Sequence, residues 1–166
     1  MKALKKITTF ALIAALSAAS VFTAMAASEK TAYSFTYEKQ QVTPGEAASG
    51  ALKKLGDYDK KQTLANCADS SGTATAYTYD AFDVITQKVD GKEIVKEITI
   101  TKASVSTEEG LKVGDTPSKV KELYKDAKGE LGLYTVKLGN TNLIIDCGLN
   151  DDKVVAITYE YVAEAK

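Results

Sequence analysis

The chain has no histidine and no tryptophan, and only two prolines and two cysteines in 166 residues; its basic residues are all lysine, so arginine is missing too. Each absence removes a class of function. Without histidine there is no unperturbed group that titrates near neutral pH, and the commonest metal ligand is gone. Without arginine there is no planar fork for bidentate binding of carboxylate or phosphate. Tryptophan and arginine are also two of the three residue types that dominate interface hot spots, which leaves the third, tyrosine, present nine times. A catalytic cysteine would have no histidine to activate it. Ser70-Ser71-Gly72 lacks the Gly-x-Ser-x-Gly elbow, and there is neither a phosphate-binding glycine loop nor a zinc spacing. No catalytic residue, metal or cofactor is expected.

What is present begins with a three-part leader. Lys2, Lys5 and Lys6 open the chain, a mostly apolar run covers 7–21, and Ala24-Met25-Ala26 has the small-x-small form a signal peptidase accepts. That run is short and rich in small residues for a membrane span, which takes about 20 strongly apolar residues. Residues 1–26 therefore read as a cleaved signal peptide rather than a retained anchor. The expected location is extracytoplasmic, either secreted or associated with the cell wall, with no membrane span after cleavage. Cleavage leaves 27–166, a normal size for one domain. Lys2, Lys5 and Lys6 leave with the signal while every carboxylate stays, so the mature chain is more acidic than the precursor's net −1. That mild acidity argues against nucleic acid or an anionic membrane as partner. In an exported chain the cysteine pair Cys67 and Cys147 suggests a disulfide; two buried free thiols are the alternative.

The two prolines both follow threonine, in Thr43-Pro44 and Thr116-Pro117. Each pair reads as a helix start, with Thr as N-cap and Pro at the first helical position. Glu46 completes a capping box in the first case. Apolar residues then recur at helical spacing (Ala48, Ala51, Leu52, Leu55; Val120, Leu123, Tyr124, Ala127), and Gly56 and Gly129 are suited to stop the two helices. Thr43 and Thr116, Pro44 and Pro117, and Gly56 and Gly129 all share one offset along the chain. Three strands follow each helix: 75–79, 82–87 and 94–101, then 133–138, 142–147 and 154–161, with Asp90-Gly91 as a hairpin turn. The strands are offset by less than the helices, with Ile157 corresponding to Ile98, so the first half carries an insertion at about 57–73. Shorter strand-like pieces precede the helices around Tyr33, Phe35 and Tyr37, and around Leu111 and Val113. The expected fold is α+β: two helix-plus-β-meander repeats, about 33–104 and 105–162, forming antiparallel sheet with both helices packed on one face.

Strand alternation sorts the two faces. Ile94, Ile98 and Ile100 lie with Lys96 against Val95, Glu97, Thr99 and Thr101; Val155, Ile157, Tyr159 and Tyr161 oppose Ala156, Thr158 and Glu160. The open face is thus expected to be polar and threonine-rich, with most tyrosines in the core or at its rim. Other candidate chemistry has plainer readings. Asp146, Asn150, Asp151 and Asp152 lack the spacing of a calcium loop and suit a solvated hairpin turn. Asp80 and Asp83 flank a strand turn with nothing to mark a cleft.

The repeated helix-plus-meander, with Gly-Leu-Lys-Val-Gly-Asp-Thr-Pro-Ser-Lys-Val (110–120) entering the second helix, resembles two groups. One is the outer-membrane assembly lipoproteins of the SmpA/OmlA type; the other is the β-lactamase inhibitory protein fold, a tandem of two such units. Asn66-Cys67-Ala68 followed by Tyr77-Thr78-Tyr79 also looks like small uncharacterised exported proteins and lipoproteins of clostridia. The resemblance implies a binding module rather than an enzyme. This chain departs from the lactamase inhibitor in its threonine-rich open face and its single cysteine per half.

The leading expectation is a non-enzymatic binding module of the cell envelope or exterior that recognises a protein or envelope polymer. Its contact regions would be the insertion, with Tyr58, Asp59, Lys60 and Asp69, and the open sheet face, with Thr99 and Thr158. An inhibitor of a secreted hydrolase, a carboxylate-based glycan hydrolase and a purely structural surface protein are the rivals.

Overall fold

The computed structural model describes residues 30–64, 73–148 and 152–163. The leader, Cys67, Asp69, Asn150 and Asp151 lie outside the described residues. Among those described, no helix is long and apolar enough to cross a membrane.

A two-stranded hairpin comes first, β1 (Phe35–Tyr37) and β2 (Gln40–Val42), followed by helix α1 (Ala48–Leu55). Four strands follow: β3 (Lys60–Leu64), β4 (Ala74–Thr78), β5 (Phe82–Val89) and β6 (Lys92–Ile100). Helix α2 (Pro117–Leu123) then precedes β7 (Lys128–Glu130), β8 (Leu133–Leu138), β9 (Thr141–Asp146) and β10 (Ala156–Tyr161). Strands β3 to β10 form one antiparallel sheet in the order β3-β4-β5-β6-β10-β9-β8-β7. The last strand of each meander therefore meets the other at the centre, and the described residues are mostly antiparallel sheet with two helices.

The meanders have four strands each where alternation predicts three. The additional ones, β3 inside the expected insertion and β7, are short and polar, so no apolar period marks them. The expected strand at Leu111 and Val113 is only an isolated bridge between Ser106 and Lys112.

The two Thr-Pro pairs do different jobs. Thr116 accepts a hydrogen bond from the Lys119 N–H at 3.4 Å and Pro117 opens α2, as the capping rule predicts. Thr43-Pro44-Gly45-Glu46 is instead a tight turn. The Glu46 N–H bonds to the Thr43 carbonyl at 3.1 Å, and Gly45 sits at φ +97°. Proline followed by a left-handed glycine is what a type II turn demands, and that demand outranks capping here. Helix α1 consequently starts at Ala48, with no side-chain cap. Glu46 still reaches back to the Thr43 N–H, at 3.4 Å. Gly56 does end α1, at φ +81°, but α2 ends at Leu123, and Gly129 lies in β7 under the Tyr134 ring. The shared spacing of the two Thr-Pro pairs and the two glycines thus does not mark equivalent positions.

The faces follow the expected alternation with two exceptions, at Val155 and Val95. Val155, expected to face inward, lies just before β10 and is exposed, while Val154 is buried in its place. Ile98, Ile100, Ile157 and Tyr159 are buried. Val95 is also fully buried, because a bulge shifts the β5–β6 register at Ile85/Thr86 and sets Val95 opposite buried Thr86. Both helices and both meanders contribute to one apolar cluster. Five of the nine tyrosines (Tyr33, Tyr77, Tyr79, Tyr124, Tyr159) are in it. Phe35 joins the two meanders directly: its ring is 4.8 Å from Phe82 on β5 and 6.0 Å from Tyr159 on β10. Phe35→Ala should cost about 3–5 kcal/mol in urea unfolding, a large share of a small domain's stability. A loss below about 1 kcal/mol would mean that the halves do not depend on it.

Candidate functional site

The sheet's pairing defines a row of side chains that crosses all eight strands. Its members, in order, are Lys60, Thr78, Asp83, Thr99, Thr158, Ile144, Thr135 and Lys128, each directly opposite the next. Seven inter-strand spacings of about 4.8 Å make the row roughly 34 Å long. The six middle residues are half-buried and the two lysines at the ends are exposed. Threonine suits such a row because its β-branch favours strand while its hydroxyl keeps the surface polar.

The sequence-derived contact residues divide as follows. Lys60, Thr99 and Thr158 fall on this one row, and the hydroxyls of Thr99 and Thr158 are 3.0 Å apart at its centre. Tyr58 and Asp59 lie at its β3 end: the Asp59 N–H bonds to the carbonyl of Thr78, and Tyr58 stacks edge-on to Tyr77 at 5.0 Å while staying exposed. Asp69 and Cys67 lie outside the described residues. Cys147 is buried just past the end of β9 and unbridged among the described residues, with burial pushing its thiol up.

The neighbouring row carries a feature that sequence reading missed. Gln62, Ala76, Ile85, Glu97, Glu160, Asn142 and Lys137 face one another in turn, which sets two carboxylates directly opposite across β6 and β10. Only the register reveals it, because β6 and β10 come from opposite halves of the chain. Glu160 is held by Lys96 Nζ at 3.5 Å and by Asn142 Nδ2, which donates at 3.2 Å. Among the described residues Glu97 has no such partner. Burial, then the Glu160 charge, raise its carboxyl above the usual carboxylate range against a smaller opposing effect of Lys96.

The remaining sequence candidates take structural roles. Asp80 is exposed and ion-paired with Lys102 at 2.6 Å. Asp146 accepts a hydrogen bond from the Gly148 N–H at 2.7 Å and so closes its turn. Among the described residues no three His, Cys, Asp or Glu side chains are grouped to hold a metal. A surface cavity of about 540 Å³, lined by Gln87, Val89, Asp90, Lys96 and Tyr161 among others, lies where the β5–β6 hairpin projects past the end of β10.

No protein-family model matches the chain, nor does any curated protein or solved structure.

The sign of the Glu97 effect is fixed by its shift. A carboxyl with a raised folded-state value binds its proton more tightly folded than unfolded. Its contribution to stability is present below the ordinary carboxylate range and is lost as pH rises through the raised value. Glu97→Gln should therefore melt higher than the parent at pH 7 and show no gain at pH 4. Equal gains at both pH values would refute the charge account.

Proposed function

We propose that the chain is an exported, non-enzymatic binding domain that recognises a protein or envelope polymer through the open face of its eight-stranded sheet. The observation that carries this reading is the eight-residue row, threonine at four positions and lysine at both ends. A face meant only for solvent has no need of that order. On each side of the centre the row reads threonine, a second residue, threonine, lysine. Hydroxyls repeated along one row present donors and acceptors to an extended partner, and both lysine ends are exposed to meet it.

The same symmetry supports descent from two helix-plus-meander repeats whose helices cover the other face. Thr158 lies directly opposite Thr99. The shift along the chain that carries Thr99 to Thr158 also carries Ile98 to Ile157 and Ile100 to Tyr159. The pairs Ile98↔Tyr159 and Ile100↔Ile157 therefore interchange, as two copies related by a local two-fold axis would. The reading keeps the leader as a cleaved signal and the location as extracytoplasmic. It also keeps the disulfide, Cys67 to Cys147, which would close a loop of about 80 residues worth a few kcal/mol in the chain-entropy model. Alkylation of the mature chain without reductant should leave its intact mass unchanged; two added labels would exclude the bridge.

Thr158→Lys places bulk and charge in the middle of the row while leaving the core untouched. The variant should melt within a few degrees of the parent and bind at least tenfold more weakly to its partner, captured from the native cell surface. Undiminished binding by both Thr158→Lys and Thr99→Lys would end the sheet-face reading.

A further inference from the structure

The geometry points to a second docking element, the β7–β8 hairpin tip, as an apolar knob that enters a cleft on another protein. Leu131 and Gly132 form its two-residue turn between the paired residues Glu130 and Leu133. Both have positive φ, +52° and +82°, the pattern of a type I′ turn. Such turns favour asparagine, aspartate or glycine, because a left-handed backbone crowds the Cβ of other residues.

The same molecule shows what turn formation alone selects. The β5–β6 hairpin turns on Asp90-Gly91 at φ +47° and +79°, and the β1–β2 hairpin on Glu38-Lys39 at +47° and +68°. Both are polar. Leucine at position 131 carries the backbone cost and gains no burial in return, since its side chain is 85% exposed. Two unfavourable features with no benefit to the fold indicate a contact made elsewhere.

The tip is also held in place. A Cβ on Gly132 would come within 2.5 Å of the Gly148 carbonyl oxygen, so only glycine permits this approach. The Cys147 N–H bonds to the Gly132 carbonyl at 2.8 Å. Of the four exposed large apolar residues among those described, Leu131, Leu133 and Val155 lie at this one end of the sheet. Val155 joins it through its N–H bond to Asp146, the residue opposite Leu133.

The occupant follows from size and charge. Three side chains, one largely and two partly exposed, fall far short of the roughly 800 Å² per partner that a stable pair of copies buries. Carboxylates flank the tip, with Glu130 and Asp146 both opposite Leu133, which disfavours an anionic lipid surface. A protruding leucine on a rigid turn fits an apolar cleft of a protein partner.

Leu131→Asn tests this because asparagine suits the turn better. A photoreactive benzoylphenylalanine in place of Glu130, in the mature chain on producing cells, identifies what the tip touches. The expected result is a protein adduct lost in Leu131→Asn. The captured protein, once purified, should bind the parent at least tenfold more tightly than Leu131→Asn, which itself should melt roughly 3 °C higher than the parent. The inference is overturned if Leu131→Asn binds equally well, if it melts lower, or if the adducts are only lipid or a second copy of the chain. Thr158→Lys, run alongside, separates the two surfaces: loss there alone removes the knob and leaves the sheet face standing. Loss in Leu131→Asn alone does the reverse.

Discussion

Strands β6 and β10 lie antiparallel at the middle of the sheet, paired from Ile100↔Ile157 to Glu97↔Glu160. On the inner side this seam buries Ile98, Ile100, Ile157 and Tyr159, none more than 2% exposed. A single four-stranded meander with one short helix would leave its inner edge strand unpaired and half of that apolar layer in water. Joined at the seam, the two meanders share one interior, and Phe35 rests on both. Each outward pair along the seam then fixes the register of the whole face, because every other strand is counted from it. The threonine row and the opposed carboxylates are both consequences of that register.

Among the described residues the open sheet has two outer edges, and each is managed. At one edge β3 carries Lys60 and Lys61, all but its last residue exposed. At the other, β7 has only three residues and carries Lys128. Lysines and brevity both discourage pairing with a strand of another molecule. The lysines that close the ends of the row therefore also protect the edges.

Much of the sheet was legible because a period of two survives wherever one side is buried. Residues 133–138 form a strand with the expected bounds, and the inward set Ile98, Ile100, Ile157 and Tyr159 follows from alternation alone. The cap at Thr116-Pro117 was equally plain. Failures have specific causes. Strands β3 and β7 are held by backbone bonds and lack an apolar pattern. The turn at Pro44-Gly45 carried its own dipeptide signal, which a numerical coincidence with Pro117 outweighed. Val95 changed sides through a bulge that no local pattern announces. Lys60, Thr99 and Thr158 could be named singly from sequence, but their alignment could not, since it depends on strands far apart in the chain.

The segment just before β1 binds to the chain's later half. Lys30 is paired with Glu108 and Glu109 at 2.9 and 2.6 Å, the Tyr33 N–H bonds to Thr141 Oγ1 at 2.7 Å, and the Tyr33 ring meets Tyr124 edge-on. Contacts of such long sequence separation form slowly, since a large loop must close before they contribute. A chain emerging amino end first would hold this segment with an incomplete seat until β9 and β10 had arrived. A product cut short before Thr141 would keep Phe82, Glu108, Glu109 and Tyr124 but would lack the Thr141 hydroxyl and the Tyr159 ring that complete the seat of this segment.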